Sequence, residues 1–165
     1  MLLNVNLDKI SDLDFKTKEA YKTLRTNVQF CGDDVKVISI TSCVPNEGKS
    51  MVSFNLAVSI AETGKKVLFI DADLRKSVLI GRYKINKAIK GLTQYLSGVE
   101  ELDSVKYTTN VENLDMILSG PVPPNPAELL NNEKFTALVE ITKKEYDYVV
   151  IDTPPIGCLL YTSDA

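Results

Sequence analysis

The chain has 165 residues, 44% hydrophobic and 25% charged, with no histidine and no tryptophan. That composition suits one soluble globular domain, and the missing histidine excludes Ser-His-Asp and Cys-His nucleophile systems, HExxH zinc sites and Cys/His zinc fingers. The net charge of −3 argues against nucleic acid as a partner, and any general base must be a carboxylate, Lys, Tyr or Cys.

In chain order, residues 1–12 read as an N-terminal arm. They lack a basic region followed by an apolar run, so they do not read as a signal peptide, and nowhere is there a run of about 18 apolar residues that would span a membrane. Ser11 and Asp14 have capping-box-like spacing ahead of a helix over about Leu13–Val28, whose Phe15, Tyr21, Leu24 and Val28 fall on one stripe. Gly32-Asp33-Asp34 breaks the chain before a β-branched strand at Val37–Thr41. A loop over 42–49 leads into an apolar helix from Ser50 to about Glu62, closed by Gly64. Val67–Ile70 and Val149–Ile151 are continuous apolar runs, each ending in an aspartate, as expected of parallel strands covered on both faces.

Between these strands the pattern gives a short helix near Leu92–Leu96 and a strand near Leu114–Leu118. A Pro-rich loop follows over Pro121–Pro126, then one helix from about Ala127 to Lys144. Strands alternating with helices imply right-handed βαβ units and a parallel sheet. From Leu74 to Val99 there are six basic residues (Arg75, Lys76, Arg82, Lys84, Lys87 and Lys90) and no acid, so this stretch carries +6 and the remainder −9. It reads either as a solvated basic face or as a landing site for phosphate or an acidic partner. Cys31, Cys43 and Cys158 are odd in number and form no CxxC, which points away from disulfides and structural zinc and towards a reducing cytoplasm.

Three motifs carry chemistry. Ser42-Cys43-Val44-Pro45-Asn46-Glu47-Gly48-Lys49-Ser50 lies between a strand and a helix, the setting in which backbone N–H groups hold phosphate oxygens at a helix N-terminus. Lys49 would reach the β- and γ-phosphates, the Ser50 hydroxyl would ligate Mg²⁺, and Gly48 would allow close backbone approach. Asp71-Ala72-Asp73-Leu74-Arg75 places two carboxylates on one side of a strand end. Asp152 follows Val149–Ile151, the usual position of a carboxylate that holds Mg²⁺ directly or through water.

Over about residues 14–157 these motifs resemble the bacterial protein-tyrosine kinases (BY-kinases) of capsule and exopolysaccharide synthesis. Their phosphate loop has the form S-x-x-P-x-x-G-K-[ST], which matches Ser42–Ser50 and explains Cys43 where other P-loops carry glycine. Their second motif is similar to Val67–Arg75 and their third to Val149–Pro155. Glu19, Lys22 and Arg25 resemble the family's ExxRxxR helix, with Lys22 in place of the middle arginine, and Ser119-Gly120-Pro121 to Leu130 resembles its SGPxPPNPxELL loop.

The resemblance implies a P-loop NTPase-like α/β sandwich with a mostly parallel sheet flanked by helices, and ATP-dependent phosphorylation of protein tyrosines. ATP would be held by Pro45, Asn46, Glu47, Gly48, Lys49, Ser50, Met51 and Arg75, and Mg²⁺ by Ser50, Asp73 and Asp152. Asp71 is the first choice to accept the tyrosine proton, with Asp73 the alternative, and Arg75 and Lys76 would meet phosphate or a tyrosine-bearing tail. The implied partners are a transmembrane adaptor with an activating cytoplasmic tail, tyrosine-containing protein substrates, and further copies of the chain through Glu19, Lys22 and Arg25. The implied location is the cytoplasm, at the inner face of the cell membrane.

The match ends near Gly157. We therefore expect a kinase domain over 13–157 that is incomplete and an atypical tail over 158–165, the chain being a truncated form. Val37–Thr41 is then expected to present an unpaired edge prone to association. The competing readings are a MinD/ParA-like ATPase, whose signature lysine is replaced here by Val44, and a catalytically silent ATP-binding scaffold of a polysaccharide export complex. A nitrogenase iron-protein-like reductase would need cluster-ligating cysteines, which the spacing of Cys31, Cys43 and Cys158 does not support.

Overall fold

The computed structural model describes residues 3–7, 10, 12–85 and 89–155. The elements in order are β1 (Asn4–Val5), α1 (Phe15–Gln29), β2 (Val37–Ile40), α2 (Lys49–Ala61), β3 (Val67–Asp71), α3 (Val78–Arg82) and α4 (Leu92–Leu96). They continue with α5 (Leu102–Val105), β4 (Lys106–Thr109), β5 (Leu114–Ile117), α6 (Pro126–Leu130), α7 (Glu133–Glu145) and β6 (Tyr148–Asp152). The six strands form one sheet in the order β1-β4-β5-β3-β6-β2. Every pairing is parallel except β4 with β5.

The continuous apolar runs of β3 and β6 follow from burial on both faces. Val67, Phe69 and Val150 pack on one side with Phe54, Leu56 and Ile60 of α2. Leu68, Ile70, Val149 and Ile151 pack on the other with Leu92 and Leu96 of α4 and Leu138 of α7. Phe54 meets the Phe69 ring edge-on, with centroids 5.6 Å apart, a favoured aromatic geometry.

Several boundaries depart from the sequence reading. The expected helix over Ala127–Lys144 is two helices, because Asn132 caps α7 by accepting from the Lys134 N–H at 2.8 Å while its amide donates to the Leu96 carbonyl at 3.3 Å. The sheet is mixed: β4, whose Lys-Tyr-Thr-Thr sequence shows no apolar run, reaches β5 through a turn of four residues, too short for the crossover a parallel pair needs. Ser11 lies outside the described residues; Asp14 caps α1, its carboxylate accepting from the Thr17 N–H at 2.7 Å, which holds its pKa below the ordinary value.

The apolar positions of α1 are not buried: Phe15 is 80% exposed, Leu24 is exposed, and no α1 residue is buried. Polar contacts tie α1 to α2, chiefly Arg25 Nη1 donating to the Ser59 carbonyl at 2.7 Å. β2 pairs only with β6 among the described residues and so lies at the sheet edge, as expected. No described helix is long and apolar enough to cross a membrane.

One close approach fixes the chain beyond β5. The α4 amides Leu92 N–H and Thr93 N–H donate to the Leu118 and Ser119 carbonyls at 2.7 and 3.0 Å. This brings the Gly91 backbone against that segment: a Cβ on Gly91 would lie 2.3 Å from Gly120 N and 2.5 Å from Leu118 O. Backbone on both sides cannot yield cheaply. Gly91→Ala should lower stability by about 1–3 kcal/mol or more, read as a fall in urea midpoint at constant slope. An unchanged midpoint would mean that the approach is slack.

Candidate active site

The phosphate loop leaves β2 at Ile40 and enters α2 at Lys49, with Asn46 (φ 65°) and Gly48 (φ 81°) in left-handed conformations. α2 has neither a capping side chain nor an acidic residue in its first turn. Its first amides are thus available to an anion, and the helix dipole favours one there. The loop braces itself: the Ser42 hydroxyl donates to the Val44 carbonyl at 2.9 Å, and the Cys43 N–H donates to Glu47 Oε2 at 3.1 Å. A cleft of about 430 Å³ opens over this helix start. Of the residues expected to bind nucleotide, Pro45, Asn46, Gly48, Lys49, Ser50, Met51 and Arg75 line it. Glu47 does not, its carboxylate being turned onto the loop's own backbone.

The acids come from the two neighbouring strands. β3 and β6 run parallel with Asp71 opposite Asp152 in register, so both carboxylates stand at strand C-termini beside the helix start. The buried Lys49 ammonium bonds to Asp152 Oδ1 and lies 3.8 Å from Asp73 Oδ2. Asp73 faces the cleft; Asp71 and Asp152, each 1% exposed, lie behind it. Asp71 accepts from the Ser77 hydroxyl at 2.8 Å and from the Asp73 N–H at 3.2 Å. Burial first, then the neighbouring Asp152, pushes its pKa up to about 7, against the Ser77 hydrogen bond. Burial also raises the Asp73 pKa, with Lys49 opposing.

These residues suit a nucleotide with Mg²⁺. Asp152 Oδ2 is buried and has no hydrogen-bond partner among the described residues, an oxygen that a cation would satisfy. Among the described residues no three acidic, His or Cys side chains could hold a metal ion by themselves. That agrees with Mg²⁺ chemistry, in which one or two carboxylates act together with phosphate oxygens and water. Ser50, Asp73 and Asp152 are the residues that would hold the ion.

Sequence reasoning missed Ser77, which binds Asp71 from six residues away; no periodicity announces such a contact. It also missed the tie across the site, in which the Thr153 N–H donates to the Ile40 carbonyl at 3.0 Å and the Thr41 hydroxyl to the Pro154 carbonyl at 3.0 Å. The residues expected to serve self-association are engaged within the chain: Lys22 pairs with Glu19 at 2.7 Å on the surface, and Arg25 is bonded to Ser59. Cys158 lies outside the described residues.

Comparison with known proteins adds independent support. The AAA domain family profile matches residues 35–164. The tyrosine-protein kinase CpsD of Streptococcus agalactiae is 48% identical over 145 residues, which is 88% of this chain and 63% of that protein. The chain thus spans under two thirds of such relatives. The kinase domain of Escherichia coli tyrosine kinase ETK superposes with a TM-score of 0.78 at 39% identity, covering 84% of this chain and 55% of that one. The septum site-determining protein MinD of Pyrococcus horikoshii, solved with Mg-ADP, is more distant: TM-score 0.62 at 30% identity, over 73% of this chain and 49% of that one.

Proposed function

Because the chain belongs to the bacterial tyrosine-protein kinases within the AAA-domain family, we propose that it transfers the γ-phosphoryl group of ATP to protein tyrosines in capsule or exopolysaccharide synthesis. The observation that carries the proposal is the convergence of Lys49, Asp73, Asp71 and Asp152 at an uncapped helix start. The loop amides, Lys49 and Arg75 hold the triphosphate. Asp73 and Asp152, with Ser50, hold Mg²⁺, which when bound neutralises charge on the phosphates. The tyrosine oxygen attacks the γ-phosphorus, the bond to the bridging oxygen breaks, ADP leaves, and the phenolic proton passes to a carboxylate. We assign that proton to Asp71, whose burial gives it affinity for a proton near neutrality; the hydroxyl would approach past Asp73, and contacts of this kind tighten only with substrate in place.

The same reading includes a transmembrane adaptor that activates the chain at the inner membrane face and ring-like self-association through the α1 surface of Glu19, Lys22 and Arg25. Assembly through Arg25 would have to keep or exchange its bond to Ser59.

The test is phosphotyrosine formation from ATP on a random glutamate–tyrosine copolymer. The wild-type chain should label it and Lys49→Met should not. ATP hydrolysis without any phosphotyrosine would replace the kinase reading with a MinD-like ATPase.

A further inference from the structure

The turn between β3 and α3 is closed by a single side chain. Ser77 donates its hydroxyl proton to Asp71 Oδ2 at 2.8 Å, while Ser77 Oγ itself accepts from the Ile80 N–H at 3.4 Å and so caps α3. Asp71 Oδ1 in turn accepts from the Asp73 N–H at 3.2 Å. The carboxylate is therefore held through both oxygens, one at each end of the 71–77 turn. A carboxylate gripped at both oxygens has one side-chain rotamer available, not several. Within that closed turn lie Asp73, Arg75 and Lys76, all facing the phosphate cleft. Asp71 is 1% exposed, so a lost partner is not made good by bulk water.

We propose that Ser77 is a positioning residue of this site: its hydroxyl aims the Asp71 carboxylate and fixes the turn that presents Asp73, Arg75 and Lys76 to the phosphates. Its catalytic consequence rests on the kinase reading above; the positioning itself does not. Ser77 touches no phosphate and no tyrosine. It acts through Asp71, so its loss slows transfer more than it weakens ATP binding, which the loop amides and Lys49 retain.

The experiment compares wild type, Ser77→Ala and Ser77→Thr in two readouts. The first is steady-state tyrosine phosphorylation of the glutamate–tyrosine copolymer. Ser77→Ala should lower kcat by about 10- to 100-fold, the scale of a misplaced reacting group, with the KM for ATP changed less than about threefold. Ser77→Thr, which keeps the hydroxyl, should recover kcat to within about threefold. The second readout is amide hydrogen exchange at Asp73, which needs no turnover: protection should fall in Ser77→Ala and persist in Ser77→Thr. Unchanged Asp73 protection in Ser77→Ala overturns the positioning role, whatever the wild type transfers. Equal impairment of Ser77→Thr and Ser77→Ala overturns it too, since packing and not the hydroxyl would then matter. A wild type that labels no tyrosine, while Asp73 protection falls only in Ser77→Ala, overturns the kinase reading and upholds the positioning.

Discussion

Lys49→Met should cost both nucleotide affinity and fold stability, and the second loss is the less obvious one. Truncating one partner of a hydrogen-bonded charge pair costs about 2–5 kcal/mol in binding, or roughly 30-fold to several thousand-fold in affinity. Stability falls because Lys49 is the cation that touches Asp152 Oδ1, while Oδ2 has no partner among the described residues. Without the ammonium, a carboxylate that is 1% exposed has no partner at either oxygen and stands beside Asp71 and Asp73. Breaking a buried pair from one side costs about 3–5 kcal/mol. The loss should be largest near pH 8 and shrink towards pH 5, where Asp71, with a pKa of about 7, is protonated and no longer repels the orphaned carboxylate. Urea midpoints at the two pH values, together with titration of a fluorescent ATP analogue, measure both effects. A midpoint at pH 8 equal to that of wild type would show that Lys49 does not hold Asp152.

Asp71→Asn should make the protein more stable and, on the kinase reading proposed above, sharply slow tyrosine transfer. The folded pKa of about 7 exceeds the ordinary aspartate value of 3.8, so folding disfavours the ionised form. The penalty is absent below about pH 4, grows as pH rises from there to about 7, and is complete above 7. At one pKa unit per 1.36 kcal/mol it reaches on the order of 4 kcal/mol. Asparagine avoids that penalty, and its carbonyl oxygen can still accept one of the two bonds made by Ser77 and Asp73. The variant should therefore gain stability over wild type progressively from pH 4 to 8, with the two converging at low pH. Tyrosine transfer should drop by about 10² to 10⁴-fold, the usual contribution of a positioned base, while ATP still binds. Asp73→Asn, in contrast, should weaken Mg²⁺-dependent ATP binding. If Asp73→Asn removed transfer at unchanged ATP affinity and Asp71→Asn did not, the proton acceptor would be Asp73.

The opposed effects of these two substitutions come from one arrangement. Three carboxylates and one ammonium share a buried corner of the sheet. Lys49 offsets part of the repulsion, Ser77 offsets part at Asp71, and Asp152 Oδ2 is left without a partner. Such uncompensated burial is tolerated where it prepares a site for a cation and a proton.

Much of this was legible in the sequence. The phosphate loop, the paired aspartates after Val67–Ile70 and the aspartate after Val149–Ile151 mark three strand ends. Apolar runs bounded by loops give the central strands because both sheet faces are covered. The Asn131-Asn132 break was readable too, since asparagine is a favoured N-cap, but it was passed over in favour of one long helix. β4 was hidden because its Lys106-Tyr107-Thr108-Thr109 pattern buries only Tyr107. The exposure of α1 was not legible, because helical periodicity reports which residues share a face and does not say whether another element covers that face.

Residue types and spacing determined the order of the motifs, the strand ends that carry them, and hence the class of chemistry, because those signals are local in the chain. Tertiary structure alone decided which groups meet. It set Lys49 against Asp152, turned Glu47 onto its own loop, and placed Asp71 behind Asp73. It also fixed Asp71 through Ser77. Those outcomes depend on contacts between residues distant in sequence, or on side-chain direction within a turn, and no periodicity along the chain encodes either.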